Sequence, residues 1–187
     1  MSLIYTTEIK IVSVPLEVMF EKYYEPERFL SYCKECPSYG KVWSCPPGVP
    51  DTVRYLSGYT TMHLVAVKVI YDNQTIKFSK TISPADLNSL MDSSYGKVKE
   101  AMRETLLAVR NLNTSCIAIA AGECKICNQC TRVENKPCRF PDRSLYSFSA
   151  LGFDLSKVSN DILDIPVLWE KKGLPEYIVA LSALITK

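Results

Sequence analysis

Histidine is almost absent from this sequence: His63 is the only one among 187 residues. A single imidazole disfavours histidine-based catalytic triads. The glycine-rich motifs that cradle phosphates are also missing, as are the Gly-x-Ser-x-Gly turn of hydrolases and the Cys-x3-Cys-x2-Cys run of radical S-adenosylmethionine enzymes. These absences argue against a standard hydrolase.

Charge of one sign and long apolar runs are lacking as well. The 22 basic and 20 acidic residues leave a net charge of +2, so the sequence predicts no nucleic-acid partner. The most apolar stretches, residues 62–71 and 177–185, fall well short of the ~20 residues of a membrane span. Residues 1–15 show none of the features of a secretion signal. We therefore predict a cytoplasmic protein without a membrane partner, and none of these features specifies an oligomeric state.

The order of apolar and turn-forming residues predicts an α+β (or α/β) fold. We expect a central mixed sheet with flanking helices and two cysteine-rich metal-binding loops, all within a single domain spanning residues 1–187. The predicted strands are residues 7–14, 61–71, 75–78, 115–121 and 177–185, the last being preferred as a strand over a buried helix.

Helix signals are strongest at Ser83-Pro84, where a capping serine precedes a proline, and Gly96 is expected to break the helix that follows. A short helix is expected from Leu16. Two further helices are predicted over residues 142–151 and, capped by Asp154, over residues 154–163.

Cysteine is abundant, and seven of the eight cysteines fall in two clusters. The first cysteine loop (residues 31–50) holds Cys33, Cys36 and Cys45. The second cysteine loop (residues 122–141) holds Cys124, Cys127, Cys130 and Cys138. In a reducing compartment such clusters hold metal more often than they form disulfides. Cys116 stands apart in an apolar strand, where a cysteine usually packs as a small hydrophobe.

The second loop has the spacing of a bacterial ferredoxin. Cys124-x2-Cys127-x2-Cys130 matches its iron-sulfur run, whereas Cys138 follows after seven residues instead of three. The longer arm either returns Cys138 to the same cluster or carries it to the other loop. Four thiolates can instead hold zinc, the structural alternative.

The first loop supplies three thiolates followed by Pro46-Pro47. Either a non-cysteine group completes this half-site, or Cys116 completes it, or its fourth position is open to substrate or water. Trp43 and Tyr39 are candidates to shield a cluster from solvent, and His63 is expected to be structural. The two loops can converge on one place.

A family resemblance rests on these residues. The pattern Cys33-x2-Cys36-x2-Tyr39-Gly40-Lys41 with Cys45-Pro46-Pro47, then Cys124-x2-Cys127-x2-Cys130 and Pro137-Cys138-Arg139-x-Pro141, resembles the predicted metal-binding proteins of domain of unknown function 2284. The resemblance continues through Ser-Phe-Ser-Ala-Leu-Gly-Phe-Asp at residues 147–154. It implies metal binding by the seven clustered cysteines and no particular reaction.

Two functions are consistent with these observations. One is a protein with one or two iron-sulfur clusters of the 4Fe-4S type, serving electron transfer or a redox enzyme, with a redox protein as partner. The other is a zinc-stabilised interaction module with no catalysis of its own. An enzyme that binds substrate at an open position of the three-cysteine half-site is a further reading, for which no second catalytic group is recognisable.

Overall fold

A four-stranded antiparallel sheet forms the centre of the molecule, for which a computed structural model describes residues 5–112, 115–170 and 172–187. The strands are Tyr5–Pro15 (β1), Thr61–Tyr71 (β2), Ile117–Ile119 (β3) and Tyr177–Thr186 (β4), arranged in the order β1-β2-β4-β3. The α+β class and the final strand are thereby confirmed.

The prediction of a mixed sheet is wrong, because all three strand pairs are antiparallel. The chain leaves β1 and enters β2 at the same end of the sheet, since Pro15 pairs with Thr61. It likewise leaves β2 and enters β4 near one end, since Ile70 pairs with Tyr177. A parallel pair needs a crossover to the opposite end. Within the described ranges, the parallel contact is limited to an isolated bridge between Ala120 and Ser147.

Helices cover both faces of the sheet. Their bounds are Leu16–Tyr23 (α1), Pro26–Lys34 (α2), Thr52–Tyr55 (α3), Asn73–Ser79 (α4), Pro84–Met91 (α5), Lys97–Leu112 (α6) and Leu155–Asp161 (α7). Ser83 caps α5 as predicted, its Oγ accepting a hydrogen bond from the Asp86 N–H. A π-helical turn, Asp92–Gly96, joins α5 to α6 where Gly96 was expected to break the helix. No helix in the described part of the chain is long and apolar enough to cross a membrane.

The predicted strand over residues 75–78 is wrong, because these residues belong to α4. Asp72 is the helix cap: its Oδ1 accepts the Thr75 N–H at 2.6 Å. An Asp at this position satisfies an orphan amide of the first turn, which favours a helix over the predicted turn and strand.

The predicted helix over residues 142–151 is also wrong. Only a short 3-10 turn, Pro141–Arg143, forms there. The Ala120 N–H donates to the Tyr146 carbonyl at 2.8 Å, which holds the segment against the sheet edge, and Phe148 is fully buried. Tertiary packing therefore prevails over helical spacing in this segment.

Two predicted boundaries shift. The strand predicted over residues 115–121 is limited to β3, and α2 continues through Lys34 into the first cysteine loop. The last predicted helix is α7, which Asp154 caps as expected by accepting the Lys157 N–H at 2.9 Å, and which ends at Asp161.

The core lies on both faces of the sheet because β2 and β4 bury alternate residues on each. One face packs Leu64 and Leu181 against α1, α7 and the residues that precede α7. On the other face, Leu106 and Leu107 of α6 pack against Ala118 of β3. The end of β3 then leads directly into the second cysteine loop.

Candidate metal centre

The first cysteine loop brings its three thiols close together. Cys33 lies in the last turn of α2, and the Cys36 N–H donates to the Cys33 carbonyl at 3.1 Å. Cys45 follows a turn in which its N–H donates to the Val42 carbonyl at 3.0 Å. Burial is the largest cause of the raised pKa of Cys45, and the Cys33 and Cys36 thiols lie near enough for their thiolate forms to raise it as well. The loop is thus built by local hydrogen bonds that gather the three cysteines.

The second cysteine loop places its four cysteines around one narrow space. This space, the cysteine cleft, has a volume of about 20 Å³ and is lined by Cys124, Cys127, Cys130 and Cys138, together with Val42, Trp43, Ile126, Thr131, Arg139, Phe140 and Ser144. A volume of that size holds about one water molecule. The cleft includes residues of the first loop, so the two loops share a wall.

A folded spacer returns Cys138 to the cleft. The 3-10 turn Thr131–Glu134 follows Cys130 and ends at Asn135, whose φ is +55°. The Thr131 hydroxyl donates to the Pro137 carbonyl at 2.8 Å, which closes the spacer on itself. The structure places Cys138 near Cys124 in the lining of the cysteine cleft.

Side chains of both loops bind the loops together. The Cys124 N–H donates to Ser44 Oγ at 3.0 Å, and the Trp43 indole donates to the Lys136 carbonyl at 3.0 Å. Arg132 Nη1 donates to the carbonyls of Val42 and Cys45 at 2.9 and 2.8 Å. The Arg132 guanidinium also lies 5.0 Å from the centre of the Trp43 ring, a cation-π contact. These contacts bring the two cysteine loops together.

The thiols are held in a partly desolvated environment. Burial raises the pKa of Cys45 to about 11, with a smaller contribution from the charge of Glu123. Burial likewise raises the pKa of Cys33 and of Cys124, although the nearby Arg103 acts in the opposite direction on Cys124. These three thiols are therefore protonated at neutral pH, and a metal ion has to displace their protons to bind.

The donor set fits a thiolate metal site by its chemistry. Zinc and iron-sulfur clusters both take four cysteine thiolates. As the side chains stand, however, no group of three Cys, His, Asp or Glu residues within residues 5–112, 115–170 and 172–187 is arranged to hold an ion. Binding therefore requires the thiols to move closer together.

Other residues considered in the sequence lie elsewhere. Cys116 is buried ahead of β3 and does not line the cysteine cleft. His63 lies in β2, with Nδ1 2.8 Å from Ser13 Oγ and Nε2 3.1 Å from Thr186 Oγ1, in keeping with a structural role. Trp43 lines the cleft as expected, whereas Tyr39 lines a separate cavity beside Pro46 and Pro47.

The fold and site together define the class of protein: an α+β chain whose two cysteine-rich loops meet at one cleft. The family model described as predicted metal-binding protein (DUF2284) matches residues 19–182, and the chain belongs to this family. The match includes all seven clustered cysteines. Comparisons with curated proteins and with solved structures find no match.

Sequence reasoning missed Ser44 and Arg132 as residues that connect the loops. Ser44 is 80 positions from Cys124, and Arg132 is 87 positions from Cys45. Neither spacing nor periodicity reports a contact over such separations.

We expect Ser44→Ala to destabilise the protein by about 1–3 kcal/mol. Ser44 is only 1% exposed, and its loss leaves the Cys124 N–H without a hydrogen-bond acceptor in a place that water does not reach. Ser31→Ala, on exposed α2, is the matched control and should change stability by less than about 0.5 kcal/mol. Urea unfolding of the metal-free chain measures both. Equal effects would show that the Ser44 contact is not important.

Proposed function

We propose that this chain holds an iron-sulfur cluster of the 4Fe-4S type on Cys124, Cys127, Cys130 and Cys138, and that it transfers electrons or serves a redox enzyme. The observation that carries this proposal is the shared lining of the cysteine cleft by all four cysteines of the second loop. The Cys-x2-Cys-x2-Cys spacing supports iron over zinc, since it crowds a single tetrahedral ion more than a cubane. A bound cluster of this type supplies one-electron chemistry.

The residues around the cleft suit that function. Trp43 limits the access of water to the thiols, and Arg132 holds the Trp43 ring in place. The charge of Arg103 acts on the Cys124 thiol, and cations near a cluster raise its reduction potential. Cys33, Cys36 and Cys45 form the half-site for a second cluster, completed by a ligand other than cysteine. The expected partner is a redox protein.

We place this function in the cytoplasm. Seven cysteines fall in two closely spaced clusters, which in a reducing compartment hold metal more often than they form disulfides. Metal-binding thiols of this kind suit such a compartment.

A second candidate is a zinc-stabilised interaction module. The four thiols that line the cysteine cleft favour it, because a structural zinc ion takes four cysteine ligands in a tetrahedral site. In this case the metal ion would contribute its binding free energy to folding, and the two joined loops would form a binding surface for another protein.

Elemental analysis of protein purified without oxygen tests both candidates. We expect iron with an equal amount of acid-labile sulfide and a broad visible absorption that bleaches on reduction. Stoichiometric zinc without sulfide would favour the interaction module instead. Protein that retains neither metal after anaerobic purification, and that takes up neither on reconstitution, would contradict metal binding at this site.

A further inference from the structure

A second cleft, separate from the cysteine cleft, lies between the start of α6, the π-helical turn and residues 120–125. This lysine cleft has a volume of about 260 Å³, and its charged lining includes Lys97, Lys99, Arg103 and Lys125. A neighbouring cleft of about 410 Å³ shares Lys99 and Lys125 with it. Lys99 therefore stands where the two spaces meet. The volume of the lysine cleft lies just below the range for small-molecule sites, about 300–1,000 Å³.

Lys99 is partly withdrawn from water without an ion-pair partner. Its Nζ lies 4.6 Å from the centre of the Tyr95 ring, and a Cβ at Gly122 would stand 3.8 Å from it. Burial lowers the pKa of Lys99, and the charge of Lys125 lowers it further. None of the ion pairs among the described residues involves Lys99. The carboxylates of Glu123 and Asp92 act on its ammonium electrostatically, but both lie beyond ion-pairing distance.

The three carboxylates of the lysine cleft have other partners. Asp92 Oδ1 is 3.8 Å from Lys125 Nζ, and Glu100 Oε2 is 2.9 Å from Lys97 Nζ. Glu123 accepts a hydrogen bond from the Ser38 hydroxyl. The Ser38 hydroxyl is neutral, so Glu123 keeps its negative charge, which acts on Lys99 without forming an ion pair with it.

Arg103 forms one side of the same space. Its side chain is only 13% exposed, and its Nε and Nη2 donate to Glu104 Oε1 at 3.2 and 2.8 Å. This pairing fixes the guanidinium between the lysine cleft and Cys124, on whose thiol it also acts. Ala120 and Ala121 add a small apolar surface to the lining.

We propose that the lysine cleft binds a small organic anion. Its carboxylate or phosphate group contacts the Lys99 ammonium beside Arg103, and its apolar part packs on Ala120 and Ala121. An ammonium that is already partly desolvated gains a charge-assisted hydrogen bond with little further loss of hydration. The site does not depend on which metal, if any, the cysteine cleft holds.

Binding of inorganic phosphate and of acetate to the full chain, purified without oxygen, tests the proposal by calorimetry at constant ionic strength. We expect saturable binding of at least one probe, and the tighter one identifies the anionic group. Lys99→Gln should weaken this binding by about tenfold or more, the effect of losing one charged hydrogen bond. Lys77→Gln removes the same charge from an exposed site on α4 and should leave binding unchanged.

An equal loss of affinity in both variants would overturn the proposal, because it would reflect net charge alone. Absence of saturable binding by either probe would also overturn it. A second measurement uses the unaltered chain, so its result does not depend on whether the Lys99→Gln variant folds. The bound probe should slow acetylation of Lys99 several-fold, followed by mass spectrometry, while Lys77 reacts at its original rate; unprotected Lys99 would contradict the proposal.

Discussion

Cys127→Ser is expected to remove most of the metal from the protein. Cys127 is the middle cysteine of the closely spaced run and lines the cysteine cleft with the other three of its loop. Loss of one residue that hydrogen-bonds to a metal ligand typically lowers the affinity for the metal about 10–100-fold. Loss of a ligand itself should lower this affinity further. Iron, zinc and sulfide contents of the variant and the unaltered protein, prepared side by side without oxygen, measure the effect.

Cys116→Ala is the matched control, because Cys116 is a buried cysteine outside the cleft. It should retain the full metal content even if it lowers stability. Equal metal contents in Cys127→Ser and the unaltered protein would rule out the second loop as the site. If Cys116→Ala lost as much metal as Cys127→Ser, the loss would reflect general instability of the fold and not the removal of a ligand.

Gly152→Ala is expected to destabilise the fold by about 2–5 kcal/mol. Gly152 has a φ of +85°, and a Cβ there would stand 2.8 Å from Pro26 Cα, a backbone atom that cannot rotate away. A left-handed conformation costs an alanine about 1–2 kcal/mol, and overpacking adds about 1–3 kcal/mol. Chemical denaturation followed by circular dichroism gives the change in unfolding free energy.

Gly58→Ala separates the two causes. Gly58 has a nearly identical φ of +83°, but a Cβ there meets no atom within 4 Å. This variant should lose only the conformational part, about 1–2 kcal/mol. If Gly58→Ala and Gly152→Ala were equally stable, the close approach at Pro26 would contribute nothing.

The contact at Gly152 also matters for the site. The Glu25 N–H donates to the Gly152 carbonyl at 2.8 Å, and the Asp154 N–H donates to the Tyr23 carbonyl at 2.8 Å. These bonds fasten the junction of α1 and α2, and α2 carries Cys33 at its last turn. We expect Gly152→Ala to disturb the first cysteine loop as well as to lower stability.

Much of the local structure could be predicted from short stretches of sequence. The cap at Ser83 and the cap at Asp154 depend on residues within one helical turn. The Val and Ile content of residues 61–71, which is also a local property, identified β2. The errors at residues 75–78 and 142–151 have two different sources: an unrecognised cap at Asp72, and the attachment of the second segment to Ala120.

The sequence by itself determined the candidate ligands, because the spacing of cysteines within each loop is a local property. Tertiary structure decided that Cys138 faces Cys124, that Ser44 and Arg132 join the loops, and that Lys99 lies in a cleft without an ion-pair partner. It also decided that the sheet is antiparallel throughout its strand pairs. These features join residues far apart along the chain, and such contacts arise from the packing of whole elements, which a one-dimensional pattern does not specify.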